Sequence, residues 1–410
     1  MKIVSVKAVC AEGGWYVDDK PAFIAGAEVD HYLVTGRPVT AGFRRVREPG
    51  EVVAVLMRLD DGTTVVGEGG SVTYAGIAGR DPVLRAEAAV ATVAEHIAGA
   101  LTGRAAEDFR ALEATLKQLS ADCGPFHSGV LYATSQALLQ AVAAAAHRPP
   151  AVVIAEEYGL SIAAADPKLG IQTGDERYSG VDKAIYRRVD VLPHGLIKKV
   201  GTDFGAGGEK LLAYAAWIKG RLAQHQTPPD YLPTIHFDCY GTIGRAFAND
   251  PAAIRDYLGR LAGVVAPLQL QVEAPVEAAG QGEQIELMAQ LRAALQELPA
   301  PVPAIIADEW CNSLADVELF AKSGAADLIQ IKMPDLGCLG DSIAAVLTCH
   351  EYGVGAYLGG SCNETDISAR TAVHVAVATG AEQILARPGM GIDEAVSIMR
   401  NELARLRAVL

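Results

Sequence analysis

The chain has 410 residues, half of them hydrophobic and a fifth charged, with 35 Lys and Arg against 49 Asp and Glu and a formal net charge of −14. That composition excludes a disordered chain, and a negative field with no basic run to offset it argues against nucleic acid or anionic lipid as partners. No stretch offers about 18 uninterrupted apolar residues, and the opening MKIVSVKAVCAEGG lacks a secretory-signal layout, so the expected location is the cytoplasm.

Residues 2–10 alternate as a strand does, and Val52–Leu59 and Thr63–Gly67 are β-rich runs joined by the hairpin signal Asp60-Asp61-Gly62. Behind them Asp81–Leu101, Ala105–Leu119 and Gly129–Ala146 carry Ala- and Leu-rich helical periodicity. Residues 1–160 therefore read as an N-terminal α+β domain. From 161 to 410 short β-rich runs alternate with helical stretches. The runs are Leu169–Gln172, Val189–Leu192, Thr234–Asp238, Leu268–Glu273, Ala304–Asp308, Leu328–Lys332, Gly355–Leu358 and Gln383–Leu385. Eight strands over that length predict an α/β fold, a (β/α)8 barrel with a C-terminal helix, capped by the front domain. The seven cysteines are scattered and form no C-x-x-C pair, so they read as reduced thiols.

Reactive groups of such a barrel sit at the C-terminal ends of its strands. Three successive predicted strands end in a carboxylate, Asp238, Glu273 and Asp308, each 35 residues from the next. One strand-end carboxylate often only caps the following helix. Three at matched spacing make an oxygen cage for a hard divalent cation, Mg2+ or Mn2+, where zinc would ask for His or Cys. An acidic substrate of this acidic chain needs such local positive charge to bind. On the next strand the period of two puts Gln330 and Lys332 on one face. Beside a cation, desolvation and the like charge push a lysine's pKa down, so Lys332 can act as a base. In RRVDVLPHGL the apolar run gives out at Pro193-His194 and leaves an imidazole at the barrel mouth, either a second base or a hydrogen-bonded structural residue. Gly359-Gly360-Ser361-Cys362-Asn363-Glu364-Thr365 follows a strand and opens a helix, where backbone N–H groups hold an anion or a side chain caps the turn.

The carboxylate triad followed by Q-x-K resembles the enolase superfamily. The segments HFDCYGTIG, ADEWCNS, QIKMPDLG, GGSCNET and RPGMGIDEA, with VTAGF and AGRDP in front, are similar in order and spacing to the methylaspartate ammonia-lyase family over essentially the whole chain. The resemblance implies a homodimer that uses Mg2+ and a stimulatory monovalent cation such as K+ to eliminate ammonia reversibly from threo-3-methylaspartate, a step in glutamate metabolism. By the same resemblance Asp238, Glu273 and Asp308 hold the metal, and Lys332 takes the C3 proton. His194 is the opposite-face acid or base, while Gln172, Gln330, Ser361 and Cys362 bind the substrate's carboxylates and amine. Leu385 lines the side of the C3 substituent. The chain departs from the pattern at Thr73, where a Gln is usual, at Gly170, where a Phe is usual, and at Ser361, where a Thr is usual; the first two imply room for a bulkier 3- or N-substituted aspartate. Other reactions on the same triad, dehydration, racemisation or cycloisomerisation, usually go with K-x-K or a His–Asp dyad instead.

Overall fold

A computed structural model describes residues 1–30, 33–174 and 176–410. The front of the chain is built on three antiparallel strands in the order β1 (Ile3–Asp18), β4 (Arg47–Leu59), β5 (Thr64–Gly70), with a small β2–β3 hairpin (Glu28–Asp30 and Leu33–Thr35) as an excursion from it. β1 pairs with β4 from Ile3 opposite Leu59 to Asp18 opposite Arg47, so the strand runs well past residue 10. The turn after β4 closes through Asp61, whose carboxylate accepts from the Thr63 amide and hydroxyl at 2.8 Å each, the Asx-type local bonding that favours Asp in turns.

The sheet packs on the helix Ser128–Ala146. That helix is long and apolar enough to cross a membrane by length and composition, yet 72% of it is buried inside the protein, where it forms the core of the front domain. The approach depends on glycine: a Cβ at Gly67 would lie 2.1 Å from the Ala133 carbonyl oxygen, and one at Gly69 equally close to that of Gly129. The helix predicted over Asp81–Leu101 starts later, as Ala86–Thr92, then a π turn Val93–Ile97 and a last turn Ala98–Leu101. Residues 81–84 are committed to distant partners, since the Gly76 amide donates to the Asp81 carbonyl at 2.7 Å and the Leu84 amide to Ser71 Oγ at 2.6 Å. The next helix, Phe109–Cys123, begins where the Asp108 side chain caps the Ala111 amide.

Eight parallel strands then close a barrel in chain order: β6 (Lys168–Gly170), β7 (Val191–Leu196), β8 (Thr234–Asp238), β9 (Leu270–Glu273), β10 (Ala304–Ala307), β11 (Leu328–Lys332), β12 (Gly355–Gly359) and β13 (Gln383–Leu385). Closure is made by β13 against β6, Ile384 opposite Leu169. The outward positions Ile235, Phe237, Val272, Ile305, Ile329, Ile331, Ala356 and Leu358 are essentially inaccessible, buried under the surrounding helices as doubly covered parallel strands must be. β7 departs most from expectation. It runs through Pro193 and His194 to Leu196, with a bulge between Pro193 and Gly195 and φ of +48° at His194. A bulge of this kind bends a strand and re-aims a side chain.

The front domain packs over the C-terminal mouth of the barrel. Asn363 Nδ2 donates to the Ser71 carbonyl at 3.1 Å, Tyr132 Oη to Glu364 Oε1 at 3.0 Å, and Asn312 Nδ2 to the Ala78 carbonyl at 2.6 Å. Gly14 lies so close that a Cβ on it would stand 2.9 Å from the Cys362 carbonyl oxygen.

Candidate active site

At that mouth a cavity is lined by Thr73, Gln172, His194, Asp238, Glu273, Asp308, Gln330, Lys332, Ser361, Cys362 and Leu385. They come from five barrel strands, from the segments that follow β6, β10 and β12, and from the front domain. Asp238, Glu273 and Lys332 end their strands, and Asp308 directly follows β10. Asp238 and Glu273 are register partners on neighbouring strands. Gly170 is not among the lining residues: its missing Cβ points at Val191 Cβ, 3.4 Å away, and at the Gln383 amide. Any widening from the two departures therefore comes from Thr73, whose side chain hydrogen-bonds Cys362.

The three carboxylates are buried together, at 3%, 1% and 6% exposure. Among the described residues neither Asp238 Oδ1 nor Glu273 Oε2 has a hydrogen-bond partner in the protein, a costly arrangement unless a ligand or cation serves those oxygens. Burial, together with the charges of Asp238 and Asp308, raises the pKa of Glu273 well above the usual carboxylate range. Burial pushes Asp308 the same way, but Lys332 and Arg80 outweigh it and hold Asp308 below its ordinary value. Repulsion of this kind among clustered acids is what a divalent cation relieves, so the donor set fits a hard metal ion.

Lys332 Nζ donates to Asp308 Oδ1 at 2.5 Å. Burial pulls the pKa of Lys332 down, yet the Asp308 charge more than offsets it and the net shift is upward. A cation beside Lys332 would lower that value; in the protein alone Lys332 faces the anion that would ligate the cation, and the shift is upward. His194 is 2% exposed, with Nε2 3.6 Å from Asp238 Oδ2 and 3.8 Å from Glu273 Oε2 and Nδ1 3.3 Å from the Tyr357 hydroxyl. Gln330 donates through Nε2 to Glu273 Oε1 at 2.7 Å. In the segment after β12 the helix begins only at Asp366, and the Ser361 amide already donates to Glu364 Oε2 at 2.7 Å. That N–H is committed to an internal carboxylate, itself 3.2 Å from buried Arg387, and is not available to an outside anion. Burial also raises the Cys362 thiol.

Three further groups line or support the cavity. Arg80, from the AGRDP segment, reaches the cavity from the front domain with Nε 2.8 Å from Asp335 Oδ2 and Nη1 3.8 Å from Glu309 Oε2. Glu309, raised by burial and by Asp308, also lies 3.8 Å from Lys20 Nζ. His236 is fully buried, its pKa pushed well below the ordinary imidazole value by burial and by His194. The donor atoms of His194, His236 and Glu273 lie within 4.8 Å of one another. Period-two alternation in Ile235-His236-Phe237-Asp238 could have found His236, since it puts that residue on the face of Asp238; nothing local marks Arg80 or Glu309.

The family model described as methylaspartate ammonia-lyase N-terminus matches residues 1–159, and the one described as methylaspartate ammonia-lyase C-terminus matches residues 161–410. Methylaspartate ammonia-lyase 1 of Carboxydothermus hydrogenoformans is 45% identical over 100% of this chain and 97% of its own length. The crystal structure of beta-methylaspartase from Clostridium tetanomorphum, an Mg complex, superposes with a TM-score of 0.95 at 39% identity, covering 100% of this chain and 99% of that one. The Citrobacter amalonaticus methylaspartate ammonia lyase containing (2S,3S)-3-methylaspartic acid gives a TM-score of 0.96 at 40% identity with the same coverage.

Proposed function

Because this chain belongs to the methylaspartate ammonia-lyase family, we propose that it is a carbon–nitrogen lyase that releases ammonia reversibly from threo-3-methylaspartate, giving mesaconate. The observation that carries the reading is the meeting of three buried carboxylates and a lysine at one barrel mouth, with an imidazole beside them. The Citrobacter relative contains the methylaspartate substrate itself and the Clostridium relative a magnesium ion.

Asp238, Glu273 and Asp308 would hold Mg2+, and Mn2+ suits the same oxygens. Bound there, Mg2+ supplies positive charge next to a substrate carboxylate, which lowers the cost of drawing a proton from the adjacent carbon. Lys332 takes the C3 proton at Nζ once it is unprotonated. His194 serves as acid or base for the opposite face. Gln172, Gln330, Ser361 and Cys362, with Thr73 on the cap side, orient the carboxylates and the amine; Leu385 packs beside the C3 substituent. The cap excludes water as the C–N bond breaks. The same reading carries a K+-stimulated homodimer acting on a small amino acid in the cytoplasm.

The test is ultraviolet detection of the conjugated product from purified protein and threo-3-methylaspartate, with Mg2+ and K+ and then with EDTA. Turnover that EDTA removes is expected; absence of turnover with every aspartate would overturn the lyase reading. A second substrate reading rests on Thr73, shorter than the Gln usual there. Ranking kcat/KM over 3- and N-substituted aspartates decides it: the bulkier substrates lead if Thr73 enlarges the amine side, and plain threo-3-methylaspartate far ahead ends the idea.

A further inference from the structure

The floor beneath the three carboxylates is polar, which is unusual for the packed interior of a barrel of this kind. His236 and Asp238 are two residues apart on β8 and share its inner face. His236 pairs in register with Gln271 on β9, as Asp238 does with Glu273, so His236 stands one layer below the carboxylates. It has 0% exposure, and its ring lies 4.4 Å centroid to centroid from that of His194.

Glu273 has two oxygens with different surroundings. Oε1 accepts from Gln330. Oε2 has no completed hydrogen bond among the described residues, and the nearby nitrogens are His236 Nε2 at 3.0 Å and His194 Nε2 at 3.8 Å. The His236 pair is at hydrogen-bond distance with the ring turned out of alignment, and neither nitrogen of that ring has another partner in the protein among these residues. A ligating carboxylate must be held by a second group if its lone pairs are to face the cation, and loss of such a partner is felt directly in metal affinity.

We propose that His236 is a positioning residue whose Nε2–H holds Glu273 Oε2 and so fixes the Glu273 carboxylate in the orientation that receives the divalent cation. The inference rests on the reading of Glu273 as a cation ligand. A neutral imidazole has one N–H and one lone pair, and a carboxylate oxygen opposite Nε2 selects the tautomer that carries the hydrogen there. The opposite arrangement, a lone pair at Nε2 facing a negative oxygen, is repulsive.

The experiment is Mn2+ binding to the full chain without substrate, read from the electron paramagnetic resonance of the free ion. His236→Leu is expected to weaken binding about 10- to 100-fold, while His236→Gln, which keeps an N–H near the same place, binds close to the unchanged protein. A folded Leu variant with unaltered affinity overturns the proposal, and so do Leu and Gln variants that weaken alike, since packing and not the donor would then be at work. Glu273→Gln in parallel separates the two readings: if it binds Mn2+ normally, Glu273 is no ligand and the function reading loses that residue; if it fails while His236→Leu does not, only the positioning role falls. Should the Leu variant not fold, the Mg2+-loaded unmodified protein labelled with 15N-histidine decides, with a protonated Nε2 on His236 expected. An Nε2 without hydrogen, as the other tautomer or direct ligation of the metal would give, overturns the proposal.

Discussion

Lys332 and Asp308 form the pair on which the proposed chemistry turns. Their 2.5 Å contact stabilises the ammonium, so the basic form of Lys332 has to be won against an adjacent anion. Replacing Lys332 by Ala removes the proposed base for the C3 proton and is expected to lower kcat on threo-3-methylaspartate by about 10²- to 10⁴-fold, measured by initial rates at saturating Mg2+. The same variant should retain slow exchange of the C3 proton of the erythro diastereomer in D2O, followed by NMR, because His194 would serve that face. Equal loss on both diastereomers would tie the two residues to one proton path. The constraint on His194 is of another kind. A non-glycine residue at φ of +48° inside a strand is held there by its surroundings, here the Tyr357 hydroxyl and the ring of His236.

Single elements are decided by close contacts and charge clamps. On β5 the Gly67→Ala change forces a methyl against the Ala133 carbonyl of the core helix, and backbone cannot yield as a flexible side chain would. Overpacking of this sort costs about 1–3 kcal/mol, which should appear as a lowered Tm in calorimetry with the helix content of the folded protein unchanged. The C-terminal helix Ile392–Val409 is fastened by Glu402, which accepts from His374 Nε2 at 3.1 Å, Arg370 Nη1 at 2.9 Å and Arg405 Nη2 at 2.6 Å. The bond to His374, aided by those to Arg405 and Arg370, overcomes burial and pulls the Glu402 pKa from 4.5 down to about 2. A carboxylate with a depressed folded pKa contributes stability that is complete above its unfolded value and is lost as pH falls through the folded one. Glu402→Gln should therefore lower Tm at neutral pH, and the Tm difference from the unchanged protein should shrink as pH falls from 4.5 to about 2; a constant difference would assign the effect to packing.

At the scale of the whole molecule, Arg80 joins the front domain to the barrel. Its guanidinium is 3% exposed and meets Asp335 and Glu309, both buried barrel-side carboxylates; burial pulls its pKa down, but these anions and Asp308 drive it above the ordinary arginine value. Arg80→Met would strand those charges. Removing one partner of a buried ionic group costs about 3–5 kcal/mol, so a clear fall in Tm is expected, together with a raised KM because the cap would seat less firmly over the cavity. A Tm within error of the unchanged protein would mean that Lys20 and the backbone contacts of Asn312 and Asn363 hold the cap by themselves.

What the sequence by itself determined is the part of the molecule that repeats. A parallel barrel has a fixed period of strand and helix and a fixed face for reactive groups, so Asp238, Glu273, Asp308, Gln330 and Lys332 could be located by counting and by alternation along strands. The wider resemblance reached Thr73, Gln172, Ser361, Cys362 and Leu385, all of which line the same cavity. Only the tertiary structure decided what depends on contacts between distant segments. Residues 81–84 stay outside the helix, held by hydrogen bonds to Ser71 and Gly76. His194 acquires its direction from a bulge that alternation does not foresee. The Ser361 amide is taken by Glu364, and the sign of the Lys332 shift is set by Asp308 from another strand. Arg80 and His236 matter through what they touch, and local periodicity carries no record of partners 255 and 37 residues away.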